Sequence, residues 1–146
     1  MKYFIYISLV ILLLYSCSKK DKVYRYLHGS WLIEEIYYKN HNLAAEYLSN
    51  DVYFEENYMG YLPKKIIYND SGKIDWEIVD KINGDITWDL IVKDTLYYIK
   101  FFTNDEVFKD TLLIKFYREG DFFVMNLTNK NTYIKLSKFT LTRIPD

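Results

Sequence analysis

The chain has 146 residues, with 19 Lys and Arg against 20 Asp and Glu, 50% hydrophobic and 19% aromatic residues. That composition fits one globular domain and excludes a disordered tail, collagen and a coiled-coil rod. Near-neutral charge gives no counterion-release handle, so nucleic acid is not an expected partner.

A single cysteine and two histidines exclude an internal disulfide and a zinc site of Cys₄ or Cys₂His₂ type. A metal would have to be held by carboxylates, and neither metal nor cofactor is expected. Half of the chain being apolar is ample for one core.

Met1 and Lys2 form a short positive start, and Tyr3 to Tyr15 is then apolar apart from Ser8. At about 1.5 Å per residue this run reaches roughly 20 Å, short of the roughly 30 Å hydrocarbon core of a bilayer. It reads as a signal peptide over 1–16, to be removed, and not as a spanning helix.

Leu14-Tyr15-Ser16-Cys17 resembles the bacterial lipobox, in which the cysteine thiol receives diacylglycerol before cleavage makes it the first residue. The resemblance implies a lipid-anchored protein of the bacterial cell envelope, with the outer membrane as the expected site, and makes Cys17 a tether and not a nucleophile. Three fatty chains, palmitate among them, hold a protein almost permanently at about 0.8 kcal/mol per buried methylene. Residues 17–27 are then the lipidated cysteine and a polar, basic spacer, SKKDKVYRY from Ser18 to Tyr26, suited to a headgroup region.

Residues 28–146 are the expected β domain. Strands are predicted near 30–38, 51–59, 64–69, 73–80, 85–92, 95–102, 108–117, 121–127 and 132–143. Period-two alternation is sharpest for Ile74, Trp76 and Ile78, and for Ile86, Trp88, Leu90 and Val92. Turn chemistry separates the runs at Asn69–Gly72, Asn83-Gly84, Lys93-Asp94, Thr103–Asp105, Glu119–Asp121 and Asn129–Asn131. Asn83-Gly84 suits a two-residue type I′ turn because both positions accept positive φ.

The last strand changes parity between Ile134/Leu136 and Phe139/Leu141, which predicts a bulge near Ser137-Lys138. Asn42 to Ser49 has helix-forming composition, so one short helix is expected there. Sequential antiparallel strands must hide their edges. An up-and-down barrel of about eight strands is the expected closure, with a sandwich as the competing one.

His28-Gly29-Ser30-Trp31-Leu32-Ile33 resembles the opening strand of lipocalin-like proteins, which carries a Gly-x-Trp signature. Thr87-Trp88-Asp89-Leu90 with Asp94-Thr95-Leu96 looks like the mid-barrel segment of small bacterial lipocalin-like lipoproteins. The resemblance implies a calycin barrel whose closed end is plugged by Trp31, with Gly29 before it and Arg143 of the final strand lying across the indole. Such a cation-π contact contributes about 0.5 to 2 kcal/mol.

Candidate chemistry is sparse. Glu34-Glu35 and Glu55-Glu56 are adjacent and would point to opposite strand faces; Asp75 and Glu77 would share a face, opposite Trp76, and read as solvated surface. His28 and His41 read as turn and surface residues without a triad partner. Asn126-Leu127-Thr128 matches a glycosylation acceptor by coincidence. No enzymatic activity is expected.

Aromatic side chains are the remaining binding equipment. Tyr53, Trp76, Trp88, Tyr98 and Phe116 occupy alternating strand positions and would line a cavity for a small hydrophobic or amphipathic ligand, unless they simply fill the interior. The rival expectation is a structural or protein-interaction module of the envelope without a ligand pocket, using Tyr37, Tyr38, Tyr58 and Tyr61 as contacts.

Overall fold

A computed structural model describes residues 19–82 and 85–139. The signal segment, Cys17, the Asn83-Gly84 turn, the end of the last predicted strand and Arg143 lie outside the described residues.

The described chain is a closed antiparallel barrel. Its strands are β1 (Gly29–Tyr38), β2 (His41–Asn42), β3 (Asp51–Phe54), β4 (Met59–Tyr61), β5 (Ile86–Lys93), β6 (Leu96–Phe102), β7 (Leu112–Glu119), β8 (Phe122–Thr128) and β9 (Thr132–Phe139). Hydrogen bonding runs β1-β3-β4-β5-β6-β7-β8-β9 and returns from β9 to β1, so eight strands form the ring. Short β2 extends the far end of β1 through Tyr37↔Asn42 and Tyr38↔His41. Every strand of the ring has a hydrogen-bonded neighbour on both sides, over only two residue pairs between β4 and β5, the expected closure for a meander.

Alternation supplies the core. Trp88 and Leu90 on β5, Ile99 and Phe101 on β6, Leu112 and Ile114 on β7, Met125 and Leu127 on β8, and Ile134 and Leu136 on β9 all point inward and are buried. On β1 the apolar spacing slips from two to three, Trp31 and Ile33 and then Ile36. The strand absorbs the extra residue as a bulge between Ile33 and Glu35 opposite β9. The irregularity therefore sits at Glu34 and not at Ser137-Lys138, because β9 keeps its parity through Leu136 while β1 does not.

Hairpin chemistry follows the local residues. Lys39 and Asn40 both take positive φ, 50° and 66°, as a type I′ turn requires. Asp94 and Gly120 do the same singly in the β5–β6 and β7–β8 turns. Between β8 and β9 the Asn129 side chain accepts the amides of Asn131 and Thr132, each at 2.8 Å.

Five expectations about the elements are corrected. Residues 19–27, read as a spacer, are a helix, α1 (Lys19–Leu27). Val23 and Leu27, one turn apart, are its buried side, and docking stabilises a segment too short to be helical alone. Residues 73–80 are not a strand; they lead into α2 (Trp76–Ile82). Asp75 caps that helix, its carboxylate accepting the Ile78 amide at 3.2 Å and its carbonyl the Val79 amide at 2.9 Å.

The strand predicted at 64–69 reduces to bridges at Tyr47↔Lys65 and Tyr68↔Ile74. The helix expected over 42–49 is a single 3-10 turn, Ala44–Glu46, whose entry is held by Asn42 accepting the Ala44 amide. The predicted strand 51–59 is interrupted in turn by a 3-10 segment, Glu56–Tyr58.

Candidate functional site

An up-and-down barrel has two mouths, and residues outside the strands fill both. At one end α1 lies across the opening. Leu27 and Val23 point into the core, and the Leu27 carbonyl accepts a hydrogen bond of 2.7 Å from Trp31 Nε1. Tyr24 stacks on Trp88 at 5.5 Å and meets Tyr58 at 4.9 Å. Tyr26 packs edge-on to Phe123 at 5.5 Å. The Asn57 amide donates to the Tyr24 hydroxyl at 3.0 Å, joining helix to hairpin.

Trp31 is wholly buried beneath α1, and among the described residues the cation over its ring is Lys138; the expected Arg143 lies outside them. The Lys138 ammonium is 5.5 Å from the indole centroid and donates to the His28 carbonyl. Burial pushes the Lys138 ammonium pKa down. His28 packs edge-on to Tyr24 at 4.4 Å, with its Nε2 buried and without a hydrogen-bond partner among the described residues.

The connection between β6 and β7 closes the far end. Val107 and Phe108 are wholly buried, Phe108 edge-on to Phe101 at 5.8 Å and to Tyr47 at 6.2 Å. Asp105 shapes this loop: its carboxylate accepts the Val107 amide at 2.8 Å and the Tyr47 hydroxyl at 3.1 Å. Burial raises the Asp105 carboxyl pKa against these hydrogen bonds, and burial with the nearby Asp105 charge raises the Tyr47 phenol further.

Between the two plugs the interior is occupied. Trp31, Trp88, Phe54, Phe101 and Phe108 are its largest fully buried side chains. A small open cleft of about 30 Å³ lies between β1 and the β2–β3 connection, bordered by Ile33, Ile36 and Tyr47. A polar surface cleft of about 160 Å³ lies at the far end between the turns at Asn40 and Asn131, flanked by Tyr37 and Tyr133. Both are below the roughly 300 Å³ at which pockets for drug-sized ligands begin.

The five aromatic residues expected to line a cavity do not converge. Trp88 faces inward, its Nε1 donating to the Met59 carbonyl at 2.7 Å. Phe116 also faces inward, half-buried and stacked on Phe123 at 5.2 Å. Tyr53 and Tyr98 are on the outer face, Tyr53 beside Tyr61 at 6.3 Å and Tyr98 opposite Ile91 and Leu113. Trp76 is on α2 and 55% exposed. Sequence reasoning missed Phe54, Phe101, Phe108, Tyr24 and Tyr26. Inward parity with Ile99 marks Phe101, whereas Phe108 sits in a loop where no periodicity reveals it.

On the outer wall Lys135 bridges Glu34 at 3.1 Å and Glu119 at 2.8 Å. The Ser137 hydroxyl and then Lys135 hold the Glu34 carboxyl below its ordinary range, and the two carboxylates raise the Lys135 ammonium. Asp75 and Glu77 do not form a strand-face pair, since Asp75 is spent capping α2.

The far end carries exposed apolar side chains. Its long connections between β2 and β3 and between β4 and β5 are tied together by Leu48 and Ile66 amides donating to the Lys64 and Glu46 carbonyls. They leave Leu48, Tyr68, Trp76 and Ile78 exposed, with Phe102 exposed at the end of β6. No family model, curated protein or solved structure matches the chain.

Proposed function

We propose that this chain is a lipid-anchored protein of the bacterial cell envelope whose barrel acts as an interaction module, presenting its far end to another envelope protein. The occupied interior carries this reading: among the described residues the barrel interior is filled by Trp31, Trp88, Phe54, Phe101 and Phe108, which leaves an apolar ligand of ordinary size little room there. Binding falls to the surface. Exposed Trp and Tyr are the side chains that interfaces favour, because they bring large rigid area with a polar tip.

The lipobox-like sequence ending at Cys17 and the Gly29-Ser30-Trp31 signature support the anchored, lipocalin-like assignment. Native mass spectrometry of the protein extracted in mild detergent from its own envelope tests it. The expected spectrum has the acylated chain bound to a second polypeptide, and Trp76→Ala should weaken that association by about 2 kcal/mol while leaving barrel stability within about 0.5 kcal/mol. A stoichiometric small apolar molecule in place of a polypeptide would overturn the reading in favour of ligand carriage.

A further inference from the structure

We propose that the β5–β6 hairpin rests in the phospholipid surface beside the tether, with Ile91, Val92 and Leu96 entering the boundary between headgroups and acyl chains. This inference rests on the lipid-anchor reading of Cys17. Its geometric basis is the helix that replaces the expected spacer. Helix α1 starts at Lys19, two residues after Cys17, and two residues of chain reach at most about 7 Å. A domain moored so closely cannot stand away from its membrane.

The side of the barrel that faces the lipid follows from where α1 starts. Lys20 in its first turn lies 3.8 Å from Asp89 of β5 and 5.9 Å from the centroid of Tyr58. The chain therefore enters the fold beside β4 and β5 at the end closed by α1, the same end at which β5 turns into β6.

That hairpin carries apolar side chains the domain does not cover. Adjacent strand residues point to opposite faces, so one of each consecutive pair is normally buried. Ile91 and Val92 are 36% and 40% exposed, and Leu96 across the turn is 47% exposed. Neither face of the strand is sheltered there.

The nearby charges have both signs, Lys19, Lys22 and Lys93 beside Asp21 and Asp94. Contact thus depends on the apolar side chains and the acyl anchor, and zwitterionic phosphatidylcholine should suffice.

The sole native cysteine makes the test specific. In the full, envelope-processed protein an acylated Cys17 is blocked, so a thiol introduced by Leu96→Cys or, at the opposite end, Lys130→Cys takes up an environment-sensitive fluorophore alone. Reconstituted in phosphatidylcholine vesicles, the Leu96→Cys label should be quenched by nitroxide-bearing acyl chains, with its quenching by aqueous iodide about threefold weaker than for Lys130→Cys. Labels quenched alike at both positions, on a parent chain that stays unlabelled, overturn the hairpin contact and leave the anchor standing. A parent chain that itself takes up the fluorophore at Cys17 overturns the anchor reading and the contact with it.

Discussion

Trp31→Phe tests whether α1 is locked to the barrel through one indole. The native side chain is wholly buried, and its Nε1 supplies a hydrogen bond to the Leu27 carbonyl at 2.7 Å. Phenylalanine keeps an aromatic ring near Phe123 and Phe116, at 5.7 and 6.3 Å in the parent, but has no donor. A buried acceptor left unmatched costs about 1–3 kcal/mol. The smaller ring leaves a void of roughly 40 Å³, worth about 1 kcal/mol at about 24 cal/mol per Å³.

The expected loss is therefore about 2–4 kcal/mol, a large part of the roughly 5–15 kcal/mol that holds a domain folded. Urea unfolding followed by far-ultraviolet circular dichroism measures it, and amide exchange locates it. Protection should fall in α1 more than in β7 and β8, since the lost bond ends on the helix. A loss below about 1 kcal/mol, with α1 amides exchanging as in the parent, would refute the lock.

Three further outcomes are expected. A Cβ on Gly60 would lie 2.5 Å from the Tyr53 carbonyl oxygen, a backbone atom that cannot swing aside, so Gly60→Ala should lower stability by about 1–3 kcal/mol; an unchanged thermal midpoint would contradict this. Because burial raises the Asp105 pKa in the fold, stability from this group is present below the unfolded value near about 3.9 and is lost as pH rises through the folded value. Asp105→Asn, which can still accept the Val107 amide, should gain on the parent as pH rises above about 4; urea midpoints showing the variant losing ground as pH rises would reverse the assignment. Cys17→Ser should abolish fatty-acid labelling and release the protein from membrane pellets, whereas a retained lipid would remove the tether.

Strands whose two faces meet different surroundings were legible. Trp88 and Leu90 against Thr87 and Asp89, or Ile134 and Leu136 against Lys135, carry their parity in the sequence because one face is sheltered and the other wet. The turns at Lys93-Asp94, Glu119–Asp121 and Asn129–Asn131 were legible for a local reason, since their residues accept the required φ or cap the turn themselves.

Contacts between distant segments decided the rest. Ile74, Trp76 and Ile78 satisfy a period of two, yet Asp75 starts a helix and Val79, a residue outside that alternation, is the one buried. Lys19–Leu27 has a polar composition, and docking of Val23 and Leu27 over the mouth beside Trp31 makes it structure. Lys138 reaches Trp31 because β9 passes directly beside Gly29, a register that composition does not reveal.

Topology explains why the two ends differ so much. In an up-and-down barrel successive connections alternate between mouths. The connections beside α1 are the hairpins β3–β4, β5–β6 and β7–β8, while the other mouth receives the long ones, β2 to β3, β4 to β5 and β6 to β7. The short hairpins leave their mouth for the helix to close, and the helix fixes where the chain enters the domain. The long connections have residues to spare after the Val107 and Phe108 plug is seated, and Tyr68 and Trp76 on them are exposed. A single parity rule thus separates the end that a tether would hold from the end that a partner could reach.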